Sequence, residues 1–204
     1  PVGFPQLDQR RFIDPREVRR RWGIGPDQPV VVLLPFPGSV YPESFWARHA
    51  YLEPSPLVRL LRLLAHRRFE YWPHLIRGWN DVAVTKAVRA FCDRNGAFLV
   101  VKSRLKNPIP AHTRAVADLC LYDESYYPAT IMEALSIANL CISFYSTGGM
   151  EAVALGAPHL CVTFSADDLH DWHDGLRRRF VRYFSPQYSD MFHCPGVSTT
   201  ISIP

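Results

Sequence analysis

A chain of 204 residues that is 48% hydrophobic and 21% charged has the make-up of a globular protein with one large or two small domains and a sizeable core. No apolar run approaches the ~20 residues that span a bilayer, and the opening PVGFPQLDQRRF has no signal-peptide hydrophobic region, so a cytoplasmic setting is expected. A net charge of +4, from 23 cationic against 19 acidic residues and without an aromatic-basic motif, argues against nucleic acid and suits anionic small molecules or an anionic membrane surface.

Residues 1–28 read as a polar, proline-rich linker carrying one short helix, Pro15 to Trp22, with Asp14 as its cap. The stretch has the character of a continuation, so an upstream Rossmann-like domain is expected as a partner. Arginine runs at Arg19–Arg21 and Arg177–Arg179 read as solvated helix faces; contact with anionic lipid at the inner membrane face is the sharper alternative.

Residues 29–204 alternate apolar runs with helical patterns. The runs Val30–Pro35, Ala97–Lys102, Leu140–Tyr145 and His159–Phe164 are rich in β-branched and other apolar residues, as in strands covered on both faces; a shorter one spans Leu119–Asp123. Between and after them lie helix candidates at Pro56–Arg68, Val82–Asn95, Pro110–Ala117, Ala129–Asn139, Gly148–Leu155 and Leu176–Tyr183. Alternation of this kind predicts an α/β fold, a Rossmann-like doubly wound parallel sheet. Cys92, Cys120, Cys141, Cys161 and Cys194 form no CxxC pair, and three sit in apolar runs, so they read as small buried hydrophobes without a zinc or disulfide framework.

In such a sheet a ligand lies beyond the carboxyl ends of the strands, and each loop there can be read for what it offers. The first, PFPGSVYPES, offers Ser39. The second, KSRLKNPIP, offers Lys102 and Arg104. The third, DESYYP, offers Tyr126 and Tyr127, and the fourth is Ser146–Thr147–Gly148–Gly149. Cations, flat rings and bare backbone are the groups that hold a nucleotide diphosphate. Two glycines in a first helical turn give up about 2 kcal/mol of helix propensity, and two readings account for them. In one, Ser146 or Thr147 caps the helix and leaves the amides of Gly148, Gly149 and Met150 open to a phosphate, which glycine lets approach at backbone distance. In the other, the glycines allow a tight approach of helix to sheet. Glu151, one turn into that helix, would repel a phosphate, yet it suits a carboxylate accepting from ribose hydroxyls. No GxGxxG follows the first strand, which disfavours a NAD or FAD domain.

The segment LCISFYSTGGMEAVALGAPHLCV resembles the nucleotide-binding part of the C-terminal domain of GT-B fold enzymes, especially UDP-N-acetylglucosamine 2-epimerases and CDP-glycerol glycerophosphotransferases. The matching features are the apolar strand ending in Ser146 and Thr147, the acid Glu151, and the close Leu155–Gly156–Ala157–Pro158. VGFPQLD is similar to the segment joining the two domains of these enzymes. The resemblance implies that Ser146, Thr147 and neighbouring amides hold the diphosphate, that Glu151 holds the ribose, and that Tyr126 or Tyr127 lies against the base, although a tyrosine packed into the next helix fits equally. Where the glycerophosphotransferases usually carry Lys-x-His after the second strand, this chain has Lys102–Ser103–Arg104, which retains two cations and lacks the histidine; His112 reads as a surface helix residue.

Two further clusters read mainly as solvated helix and core anchor: DDLHDWHDG, with His170 and His173 among Asp167, Asp168, Asp171 and Asp174, and WPHLIRGWN, with Trp72, His74 and Trp79. The combined expectation is the donor-binding half of a GT-B type glycosyltransferase or glycerophosphotransferase. It takes a nucleotide diphosphate sugar or CDP-alditol for cell-surface glycan synthesis, with no metal and no cofactor, and its general base lies in the upstream half. The runners-up are a sugar-nucleotide epimerase and a non-catalytic nucleotide-binding domain.

Overall fold

A computed structural model describes residues 5–35, 57, 81–104, 109, 111–122, 128–144, 146–164 and 198–203. A 3₁₀ turn, Pro5–Phe12, leads into α1, Pro15–Arg21, and β1, Val30–Leu34. Helix α2, Asp81–Asn95, precedes β2, Phe98–Lys102; a single turn, α3, Ala111–Arg114, precedes β3, Leu119–Leu121. Then come α4, Thr130–Ser136; β4, Leu140–Ser143; α5, Gly148–Ala154; β5, His159–Phe164; and β6, Ser198–Ile203.

The strands form one sheet in the order β3-β2-β1-β4-β5-β6, every neighbouring pair parallel. The expected α/β, Rossmann-like doubly wound fold is present. All five residues of the central strand β1 are buried, because both of its faces are covered. Alternate side chains therefore serve two cores. Val31 and Leu33 join Leu99, Val101, Ile142 and Phe144 under Val88 and Cys92 of α2. Val30, Val32 and Leu34 join Val100, Cys141 and Leu121 under Val18, Ala134, Leu135 and Ala152, which come from α1, α4 and α5. Removing a side chain such as Leu33 or Val32 from water stabilises by about 1.5–3 kcal/mol. Burial also pushes the Cys92 thiol up to about 11 and the Cys141 thiol up to about 12, so both stay protonated and act as apolar packing, as their sequence context predicts.

The entry segment is bound into the second core. Asp14 caps α1 by accepting from the Arg16 amide at 2.9 Å, and Val18 and Ile24 are 3% and 5% exposed. The arginine run within α1 makes contacts of its own. Arg19 donates to the carbonyls of Gly25, Gln28 and Ile137, and Arg21 pairs with Glu133 of α4 at 2.7 Å, while Arg20 pairs with Glu17. The Arg20 side chain stays 76% exposed beside Glu17 and that of Arg21 47% exposed, so these two keep the solvated character expected of the run, while Arg19 and Arg21 also tie α1 to its neighbours.

Two helices are shorter than their sequence patterns. Helix α4 stops at Ser136 because Asn139 bridges to the sheet: its amide donates to the Val30 carbonyl at 2.8 Å and its side chain accepts from the Val30 amide at 2.9 Å. Of the described residues in the stretch from Pro110 to Ala117, Ala111–Arg114 are helical and the helix does not continue to Ala117. Strand β6 was not legible as a strand. The helix candidates Pro56–Arg68, apart from Leu57, and Leu176–Tyr183 lie outside the described residues, as do Arg177–Arg179, Cys194 and both histidine- and tryptophan-rich clusters. No helix among the described residues is long and apolar enough to cross a membrane.

Candidate functional site

The order of the strands reverses between β1 and β4, and a ligand of a doubly wound sheet sits in the crevice at that reversal, beyond the strands' carboxyl ends. Two of the described loops reach it. Strand β4 ends at Ser143 and passes through Phe144 into Ser146, Thr147 and α5; β2, on the other side of β1, ends at Lys102 and continues into Ser103 and Arg104. Helix α5 closes at its far end with Gly156 at φ 81°, whose amide donates to Val153 while that of Ala157 donates to Ala152, the two bonds of a left-handed C-terminal cap. Leu155–Gly156–Ala157–Pro158 therefore ends the helix and returns the chain to β5.

The first turn of α5 differs from expectation. The amides expected to stand open are engaged within the turn: Gly148 donates to Ser146 Oγ at 3.2 Å, Gly149 to the Ser146 carbonyl at 2.9 Å, and Met150 to the Thr147 carbonyl at 3.0 Å. Thr147 stands at the N-cap position in helical geometry and its side chain makes no capping bond. The two glycines are buried, and their reason is on the sheet side. A Cβ on Gly148 would lie 2.5 Å from Leu34 Cδ1, and one on Gly149 would lie 2.5 and 2.7 Å from Cε1 and Nε2 of His159. The tight helix-to-sheet approach is thus the geometry that glycine serves, and the reading of Gly148, Gly149 and Met150 as bare phosphate donors is corrected on that ground.

His159, the first residue of β5, is 4% exposed, and its Nε2 lies 2.8 Å from Ser143 Oγ at the end of β4. Each residue stands in an apolar run, where sequence periodicity gives no sign that they meet. The available signal was one polar residue in each of two successive apolar strands, a pattern that adjacent parallel strands can pair. Burial holds the His159 pKa below its ordinary 6.5. The folded chain therefore refuses a proton that the unfolded chain accepts, so this contribution to stability is complete above 6.5 and is lost as pH falls through that value. Denaturation midpoints from about pH 5 to 8 should rise more steeply for the wild type than for His159→Asn, and parallel curves would contradict this role.

Glu151 is 6% exposed and lies on the same first turn. Desolvation raises its pKa above 4.5, against the opposing pull of Arg104 and Lys102, so both cations lie within electrostatic reach of the carboxylate. Among the described residues no hydrogen bond to that carboxylate is formed. Lys102 is buried, with Nζ donating to the Ser103 carbonyl at 2.7 Å, and Arg104 is exposed. The fold thus brings Lys102, Arg104, Glu151, Ser146 and Thr147 to one end of the sheet, with Met150 exposed beside them. His112 is half-buried. Ser39, Tyr126 and Tyr127 lie outside the described residues. No cluster of metal-ligating side chains occurs among the described residues.

No family model matches the chain, and no curated protein does, so the resemblance to the epimerase and glycerophosphotransferase families stands on the quoted residues alone. Among solved structures the chain is similar to Thermosulfurimonas dismutans KpsC, beta Kdo 2,7 transferase, with 17% identity over 76% of this chain and 43% of that one, at a TM-score of 0.36. It is also similar to Thermosulfurimonas dismutans KpsC, beta Kdo 2,4 transferase, with 12% identity over 79% of this chain and 46% of that one, at a TM-score of 0.34. The chain spans less than half the length of either. Likeness at this level does not fix an activity.

Proposed function

We propose that this chain binds a nucleotide-activated sugar or alditol phosphate at the β1/β4 reversal and forms the donor-binding half of a GT-B type transferase of cell-surface glycan synthesis. The observation that carries the reading is Glu151, a nearly buried carboxylate at the sheet's carboxyl end, faced by the cations Lys102 and Arg104. Desolvating a carboxylate is costly, and a ligand presenting hydroxyl donors would satisfy it. Ribose offers two such hydroxyls side by side, and Arg104 and Lys102 then face the phosphates attached to it.

Because the first-turn amides are engaged, the phosphates are assigned to side chains: the guanidinium of Arg104, the ammonium of Lys102, and the hydroxyls of Thr147 and Ser146. In transfer, negative charge builds on the departing nucleotide, and fixed cations at that end lower the barrier. Among the described residues none is assigned as general base.

Titration with UDP, CDP, GDP and ADP, each alongside its nucleoside, tests the reading. One of the four should bind, and Arg104→Ala should weaken it by about 1 kcal/mol, at the low end for a charge-assisted hydrogen bond because Arg104 is exposed to competing water. Nucleoside affinity should hold. Equal losses for nucleoside and diphosphate would remove Arg104 from the phosphate end.

A further inference from the structure

Glu151 owes its place to the first turn of α5, and that turn rests on the sheet through two buried glycines. Under Gly149 lies the His159 ring: a Cβ there would stand 2.5, 2.7 and 3.2 Å from its Cε1, Nε2 and Nδ1, so the imidazole bears directly on the backbone of the turn. The ring is fixed by Ser143, whose Oγ lies 2.8 Å from Nε2, and the two residues are 0% and 4% exposed, serine first. Pairing sets Cys141 opposite His159, which puts Ser143 two residues farther along the same face of β4 and in reach of the ring. The turn above moves as a unit, because Gly149 donates to the Ser146 carbonyl at 2.9 Å while Met150 and Glu151 donate to that of Thr147 at 3.0 and 3.4 Å. Glu151 Oε2 lies 3.8 Å from the point a Gly148 Cβ would occupy, so the carboxylate itself lies back over the seated turn.

We propose that His159 and Ser143 are positioning residues, a buried polar seat that sets the height of the first turn of α5 on the sheet and thereby the place of the Glu151 carboxylate at the ligand end. A hydrogen bond is directional, so Ser143 holds the ring in one orientation against Gly149; an apolar side chain of similar size would fill the space without fixing it. A close-packed interior passes such a displacement on and does not absorb it. Bonds from ribose hydroxyls to the carboxylate hold over a narrow range of distance and angle, so the seat preorganises them before the ligand arrives. Both residues are buried and act through Glu151. The inference rests on the ribose reading of Glu151.

Ser143→Ala removes the hydroxyl and frees the ring to turn. Calorimetric titration well below the melting range, with whichever of UDP, CDP, GDP and ADP binds and with its nucleoside, should show an affinity loss of about three- to fivefold for both ligands alike. In a Glu151→Gln background the same substitution should change either affinity by less than about twofold, because the residues act through one contact. His159→Leu should match the loss, and His159→Gln, whose amide nitrogen can reach the place of Nε2, should recover most of it; this pair serves if Ser143→Ala fails to fold. A lowered Tm with both affinities within about twofold of wild type, beside a damaging Glu151→Gln, would make the pair a stability device and overturn the seat alone. An undiminished loss in the Glu151→Gln background, or a loss confined to the diphosphate, would overturn it too. An inert Glu151→Gln, or binding of none of the four, removes the ribose reading and the seat with it.

Discussion

Gly149→Ala is expected to cost about 1–3 kcal/mol of stability, a fall in Tm of roughly 3–10 °C for a chain of this size. Helix propensity alone predicts the opposite sign, since alanine gains up to about 1 kcal/mol over glycine in a helix. Packing decides. The added methyl would sit 2.5 Å from a carbon of the His159 ring, and that ring is buried with Nε2 held at 2.8 Å from Ser143 Oγ. Turning the ring aside breaks the bond and leaves a buried hydroxyl unsatisfied, a loss of about 1–3 kcal/mol; lifting α5 instead opens the second core. Gly148→Ala should be milder, within about 1 kcal/mol of wild type, because the atom it meets is the tip of Leu34, which can swing. In a His159→Ala background, Gly149→Ala should become neutral or stabilising. Thermal melts of the four proteins check this, and an unchanged Tm for Gly149→Ala in the wild type would refute the packing role.

That result also marks where sequence reading reached its limit. The strands β1, β2, β4 and β5 were legible because a parallel sheet covered on both faces leaves continuous apolar runs, and their alternation with helical patterns gave the doubly wound fold. Strand β6 lacks that signature: four of the six residues of STTISI are polar, and it pairs on one side with β5 among the described strands. Asn139 shows why a helix end was misplaced. Its side chain and amide serve the distant Val30, a demand that no local pattern carries. The glycines of α5 were visible as an anomaly, but their cause lay across the fold in Leu34 and His159. Glu151 was legible as an acid beside a ligand loop because helix periodicity and the rule for strand ends place it there. Its burial, and the reach of Lys102 and Arg104 to it, came only from the strand order that sets β2 beside β1 and β1 beside β4.

The second large effect belongs to Glu151, where stability and binding should move in opposite directions. Desolvation raises its pKa above 4.5, so the folded chain holds a proton more tightly than the unfolded chain, and ionisation costs stability as pH rises through that window. Glu151→Gln removes the charge and with it that cost, so at neutral pH the variant should melt no lower than wild type, and higher if the amide packs in the same volume. A residue kept for its stability would behave the other way. A residue kept for a ligand tolerates such a cost, as binding sites commonly do.

The measurement that bears most directly on the proposed site is a paired melt and calorimetric titration of wild type and Glu151→Gln with nucleoside and nucleoside diphosphate at neutral pH. The account predicts a Tm equal to or above wild type together with a loss of about 1–3 kcal/mol in affinity, similar for nucleoside and diphosphate because the lost acceptor faces the ribose. Affinities within about twofold of wild type for both ligands would contradict it, and would leave Glu151 as a buried counter-charge to Lys102 and Arg104 with no ligand of its own.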